Sequence, residues 1–500
     1  MKKSILLLLD CVVLLSLLSI CLLLFSCSQK SGETDTTTAA GSEASGSEQD
    51  SATNPLSISD NLPLDLDFNG ATIRVWGREV DNVFYTSNWE FTEEMTGEIF
   101  NDALYARELA VEDRLNVNIE KTLTTTSFDN AYKAVKAGDD SFDILFANAY
   151  DVAPQALEGI YVNLADFPHI DYNMPWWPDT IMKDVTINGK TYFVTGDITP
   201  SVLGFMNCIF FNKKLAADYD ISGLYDLVFS GKWTFDKYAE AAKNMYKDLN
   251  GNGVVDSEDM FGVTTSDYYD VYFSAFEIPI TTTSPDGSLN LALGEKFYEA
   301  YSKLREFSMD KSALPQDISN KGETVNYEND VKFFANGQIL FFGGLVRFSD
   351  YFRAMKDDYG ILTVPKWDEN QAEYHTTSHA NYSLVSVPVT VPSERYGMIG
   401  AVMEAMASEG YRTTTPAYFN STLKDKYSRD EETLKVLDIL RNGLEFQPVM
   451  IYYKSMGDIL HLFRYSCYPQ AQYNNMVSYY EKNLPVFQKA IDKFNKSFLQ

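Results

Sequence analysis

The 500-residue chain carries 70 acidic against 41 basic side chains, a formal charge of −29, which excludes nucleic acid and anionic lipid headgroups as natural binding surfaces. Five cysteines in a chain of this length exclude a disulfide framework. With 45% hydrophobic residues, 32 Tyr, 32 Phe and 6 Trp, the chain has the apolar surface for a large core and aromatic rings to spare for binding.

The chain opens on Met1-Lys2-Lys3 and an apolar stretch from Ile5 to Phe25, interrupted only by Asp10, two serines and two cysteines. A charged start, an apolar segment and the small residue Ser26 read as an export signal over 1–26. Cys27 follows directly, and the junction resembles the lipobox of bacterial lipoproteins, in which that cysteine takes a diacylglycerol and becomes the mature N-terminus. The same roughly 20 apolar residues could also span a bilayer as a helix. On both readings the body is held at a membrane surface, outside the cytoplasm. Residues 27–54 contain no large apolar side chain and read as a flexible tether, about 30 Å in root-mean-square span. Six acids and three lysines precede residue 55, so −26 of the charge falls on the body.

The body is long enough for two or three lobes. Ala71 to Gly77 is a β-branched run that predicts a strand; Phe100 to Leu115 has helical spacing; Asn116 to Glu120 is a second strand. A helix over 131–137, stopped by Gly138, leads into a buried strand over 142–147. Strand, helix, strand, helix, strand is the pattern of a doubly wound α/β sheet, whose ligands sit beyond the carboxyl ends of the strands. That rule singles out Trp76 and Arg78 after the first strand, and Asn148 and Tyr150 after the third. Asn188-Gly189-Lys190 predicts a turn, 205–211 a strand and 235–247 a helix. A second set of elements follows: a helix near 330–334, a strand over 338–342 ended by Gly343-Gly344, strands over 359–364 and 382–387, and a helical tail from Glu394. Cys208 and Cys467 lie in apolar surroundings and read as buried free thiols, although one bridge between them is open to an exported protein.

Asp248-Leu-Asn-Gly-Asn-Gly-Val-Val-Asp-Ser-Glu-Asp259 places oxygen donors at positions 1, 3, 5, 9 and 12, a glycine at 6 and a free carbonyl at 7. That is the spacing of an EF-hand-like calcium loop, with Asp248, Asn250, Asn252, Val254, Asp256 and Asp259 as ligands. Asp259 replaces the usual bidentate Glu, and the residues after it do not read as a helix. The alternative is an acidic surface turn.

Several blocks together resemble the extracellular solute-binding proteins of ABC importers, in their carbohydrate-binding, lipoprotein branch. They include 97–107 with 111–117, Ser141-Phe-Asp-Ile-Leu145, 159–166, Pro175-Trp-Trp177 and Asn188-Gly-Lys-Thr-Tyr-Phe193. Phe211-Asn-Lys-Lys-Leu215, Gly231-Lys-Trp-Thr-Phe-Asp236, Phe334-Ala-Asn-Gly-Gln338, 358–366 and Tyr427-Ser-Arg-Asp430 complete the set. The resemblance implies a two-lobed α/β clamp of the type II periplasmic-binding-protein kind, with discontinuous lobes joined by hinge crossovers. By matching blocks, lobe 1 takes 65–198 and 343–410, and lobe 2 takes 203–340 and 413–500. It further implies a carbohydrate ligand, permease subunits as partners and no catalysis. Sugars stack on aromatic rings and bond planar polar side chains, so the ligand-binding candidates are Trp76, Arg78, Asn148, Tyr150, Trp176, Trp177, Asp197, Gly344, Arg347, Trp367, His379 and Tyr382. Trp176-Trp177 could equally be a hydrophobic plug between prolines. Trp233 precedes Thr234, which can cap a helix, and is assigned to packing.

No Gly-x-Ser-x-Gly elbow, His-Glu-x-x-His helix or phosphate-binding glycine loop is present. A secreted glycoside hydrolase stays open, since its carboxylate pair carries no local motif. A clamp for peptides or organic acids, or one that serves a membrane sensor, stays open as well.

Overall fold

The computed structural model describes residues 57–79, 89–125, 127–264, 269–315, 318, 327–419, 431–467 and 476–499. The export segment, Cys27 and the tether lie outside them. Among the described residues no helix is long and apolar enough to cross a membrane. Asn54–Gln500 forms one compact unit built on two four-stranded sheets.

In the first sheet β1 (Ala71–Arg78) runs parallel to β2 (Val117–Thr124) on one side and β3 (Ile144–Asn148) on the other, and β8 (Ser383–Ser386) adds antiparallel to β3. All five residues of β3 are buried, as its unbroken apolar run predicts for a central strand. Helix α1 (Ile99–Leu115) connects β1 to β2. Its start is fixed by the Glu98 carboxylate, which accepts the amides of Phe100 and Asn101 at 3.1 Å each, and its end by Asn116 in the left-handed conformation at φ 47°. Helix α2 (Ser127–Lys136) returns the chain to β3.

The second sheet orders β7 (Tyr359–Leu362), β4 (Asn207–Asn212), β6 (Ile339–Leu345) and β5 (Phe261–Val263). β4 is antiparallel to both β6 and β7, and β5 is parallel to β6. Helix α3 (Phe235–Ala242) starts on Thr234, whose hydroxyl accepts the Lys237 amide, and Trp233 is buried with its indole on the Thr363 carbonyl at 2.9 Å.

Two expected boundaries move. Gly343-Gly344 does not end its strand: Gly343 pairs with Ile209 and Gly344 with Cys208, and β6 continues to Leu345. The glycine at 344 is needed for packing, because a Cβ there would lie 2.5 Å from the Phe342 ring and 2.9 Å from Phe348. Residues 343–345 and 359–362 therefore belong to the second sheet, and the chain regains the first only at β8. Nor does the tail belong to lobe 2 alone. Helix Glu431–Asn442 packs on β7, whereas the short helix Pro448–Ile451 packs on helices Ala149–Ala156 and Asp179–Val185 of the first lobe. Cys208 and Cys467 are buried free thiols.

Candidate functional site

Three chain segments cross between the sheets and are stitched into one ribbon. The Asn207 amide bonds the Thr377 carbonyl at 3.0 Å and the His379 amide bonds Phe205 at 2.9 Å, joining the first crossover to the second. Thr376 and Glu445 exchange bonds with Gly443 and Thr376 at 2.9 and 3.0 Å, adding the third. The second crossover also meets the carboxyl end of β3, where the amides of Ala149 and Tyr150 bond the carbonyls of Tyr382 and Ala380. The ribbon thus forms a floor between the carboxyl ends of β1 and β3 and those of β5 and β6, where an open α/β sheet takes its ligand.

Polar and aromatic groups gather on that floor. Asn148 is buried and caps the helix that follows, its Oδ1 accepting the Asp151 amide at 3.0 Å. The Tyr150 ring faces Tyr453 at 5.4 Å, and the Lys454 ammonium lies 3.2 Å from its centroid. From the other lobe the buried Arg347 guanidinium sits 5.2 Å over Trp89 and 4.9 Å over Phe205. The His379 ring lies 6.3 Å from Phe205. Gly204 makes this stack possible, since a Cβ there would fall 1.6 Å from the Trp89 ring.

Beside the third crossover a cavity of about 560 Å³ has walls from both lobes, including Lys183, Asp184, Glu277, Glu445 and Gln447. Burial pushes the Asp184 carboxyl up to about 7 although it accepts the Phe446 amide at 3.0 Å. His375 stands between Glu277 and Glu445, each ring nitrogen 3.3 Å from a carboxylate oxygen.

Against solved structures, three comparisons bear on this architecture. A sugar transporter from Rhizobium etli in an open conformation superposes with a TM-score of 0.57 at 14% identity, over 85% of this chain and 99% of that one. The GacH receptor of Streptomyces glaucescens, solved unliganded and with acarbose, gives 0.54 at 12% identity over 84% and 99%. An ABC substrate-binding protein from Listeria monocytogenes, in complex with cycloalternan, gives 0.51 at 15% identity over 85% and 99%. The fold is that of the type II periplasmic-binding proteins. No protein-family model and no curated protein matches the chain.

Within this binding-protein fold the predicted residues part company. Asn148, Tyr150, Arg347 and His379 meet around the crossovers, and Arg78 stands at the end of β1, opposite Thr124. Tyr382 is there too, but is buried under Phe446 at 4.8 Å, and burial raises its hydroxyl well above the ordinary tyrosine range. Four tryptophans are corrected to packing. Trp76 stacks on Phe142 at 4.6 Å. Trp176 and Trp177 are 0% and 1% exposed and donate their indole N–H groups to Glu404 at 3.0 and 2.8 Å. Trp367 packs on Phe276, with Lys303 4.6 Å from its ring. Asp197 is a buried pin rather than an open ligand: its carboxylate takes Thr415 at 2.5 Å and Arg441 at 3.0 Å. Gly344 serves packing, as above.

Sequence reasoning missed Trp89, Phe205, Asn207, Thr264 and Lys454. None stands in a motif; only the crossovers bring them to the floor.

In the 248–259 loop the donor side chains already hold the loop's own amides. Asp248 accepts Gly251 and Gly253 at 2.6 and 2.8 Å, Asn250 accepts Asn252, and Asn252 accepts Val254. Asp256 receives the side-chain amides of Asn250 and Asn252, and the buried Asp259 receives the Asp256 and Leu249 amides and the Tyr246 hydroxyl. Among the described residues no group of three or more His, Cys, Asp or Glu side chains is gathered to hold a metal.

Proposed function

We propose that this chain is a lipid-anchored solute-binding protein that captures a saccharide between its lobes and delivers it to the permease of an ABC importer. The observation that carries the reading is the three-stranded crossover ribbon flanked by the carboxyl ends of two sheets. It is a floor on which lobes can close, with aromatic rings and planar polar groups from both. A ligand that touches both lobes has more contacts in the closed form, which is the physical requirement for a clamp that signals its occupancy. The proteins of like fold named above include one solved with acarbose and one solved with cycloalternan, which supports a saccharide here. Anchoring through Cys27 is proposed from the signal alone, and places the body on the outer face of the membrane.

The test is thermal melting of the full-length protein in detergent against mono- and oligosaccharides, each mixture then assayed for cleavage. A ligand that binds only the folded state raises the melting point by mass action. A sugar-specific rise with intact sugar supports the reading. Cleavage favours a hydrolase, and silence across the panel turns the search to peptides and organic acids.

We further propose that the 248–259 loop binds calcium as a structural ion. Its donors are the hard oxygens calcium prefers, three carboxylates, two amide oxygens and the Val254 carbonyl, wrapped on a turn that Gly251 and Gly253 form at φ 70° and 76°.

A further inference from the structure

At the carboxyl end of the second sheet a small cavity of about 30 Å³ opens between the strands and the helices that cover them. That is room for about two water-sized groups, too little for a sugar ring and enough for one substituent of a ring. Asn207, Thr264, Gly343, Tyr272, Phe307 and Val364 are among its walls, and no described wall residue carries a charge at neutral pH.

Two of these residues hold polar atoms without a partner. Asn207 is 4% exposed and Thr264 is 5% exposed, yet Asn207 Oδ1 and Thr264 Oγ1 make no hydrogen bond. Buried polar atoms are nearly always paired, so such a pair marks a place where something else supplies the bond. The orientation of the Asn207 amide is set by its other end. Its Nδ2 donates to the Thr377 carbonyl at 2.6 Å, and a reversed amide would set two oxygens against each other. Asn207, with one fixed acceptor, and Thr264, with one hydroxyl, thus stand in the cavity wall beside Tyr272, Phe307 and Val364. Gly343 keeps it open: a Cβ there would meet only Ile209, at 3.7 Å, and Ile209 is itself a wall residue.

Among the described wall residues a carboxylate or a free amine would find no counter-charge. A lone hydroxyl could bond the polar end and would leave the apolar end empty. An acetamido group fills both: N–H to Asn207 Oδ1, carbonyl oxygen from the Thr264 hydroxyl, methyl against the apolar side chains. We infer that this cavity is the acetamido subsite of the cleft and that the captured saccharide contains an N-acetylated amino sugar. The inference rests on the saccharide reading above and narrows it.

The test is calorimetric titration of the full-length protein in detergent with matched pairs that differ only in the acetamido group. They are glucose and N-acetylglucosamine, galactose and N-acetylgalactosamine, mannose and N-acetylmannosamine, and cellobiose and N,N′-diacetylchitobiose. The expected result is that in at least one pair the acetamido member binds about tenfold tighter or more. Gly343→Val, which fills the cavity, should abolish that preference and leave binding of the unmodified partner in place. Thr264→Val, of nearly equal volume, should reduce the preference and serves if the first variant fails to fold. Members of every pair binding alike, or a preference that survives Gly343→Val in a protein that melts as the wild type does, overturns the inference and leaves the saccharide reading standing. Absence of binding by every sugar overturns both.

Discussion

Trp176 and Trp177 aim both indole N–H groups at one carboxylate, and Glu404 accepts them while only 1% exposed. Burial pushes that carboxyl from its ordinary 4.5 up to about 7, against the bonds that favour its ionised form. The folded state therefore keeps a proton that the unfolded chain releases between these two values. The contribution to stability is greatest below about pH 4.5 and is lost as pH rises toward 7. Glu404→Gln should destabilise the protein by about 1–3 kcal/mol, because the amide nitrogen would face an indole donor. It should also flatten the fall in unfolding free energy between pH 5 and 7.5, measured by urea denaturation. Asp184, held up to about 7 by its own burial, will keep part of that slope. Nothing local to Pro175-Trp-Trp-Pro178 told a plug from a platform for sugar. The partner that decides it, Glu404, is more than 200 residues away.

Among the elements, caps and central strands were legible because their causes are local. Thr234 before an amphipathic run and the apolar 142–147 both act within a few residues of themselves. The crossovers were not, since their pairing rests on bonds between segments such as Phe205 and His379. Gly204 gives one test of that ribbon. Gly204→Ala must displace the Trp89 ring, and with it the Arg347 stack, so a loss of about 1–3 kcal/mol by melting and weaker saccharide binding by calorimetry are expected. The 248–259 loop gives another. Calcium added to chelator-treated protein should release heat and raise the melting point, by the equivalent of about 2.7 kcal/mol at a hundredfold excess over Kd. Asp248→Asn with Asp256→Asn should remove both effects, and an unmodified protein that gives neither heat nor shift ends the calcium proposal.

For the whole molecule, function as a clamp demands that the sheets approach when a ligand binds. Glu120 on β2 and Glu240 on α3 are exposed and lie on different sheets' lobes, while the native Cys208 and Cys467 are buried and unreactive. Spin labels at Glu120→Cys and Glu240→Cys should report a shorter distance once a binding saccharide is added. An unchanged distance at saturation would mean that the lobes do not close on this ligand. The sequence by itself determined the class of fold, the doubly wound first lobe and the region of the floor, because alternating elements and strand ends follow from local pattern. It also determined the acidic character that sets nucleic acid aside, which is a matter of composition. Only the tertiary structure decided which aromatic rings face the floor, that 343–345 and 359–362 belong to the second sheet, and that Asn207 Oδ1 and Thr264 Oγ1 stand unpaired in residues that wall one cavity. Burial and pairing are properties of residues brought together from distant parts of the chain, and no local pattern encodes them.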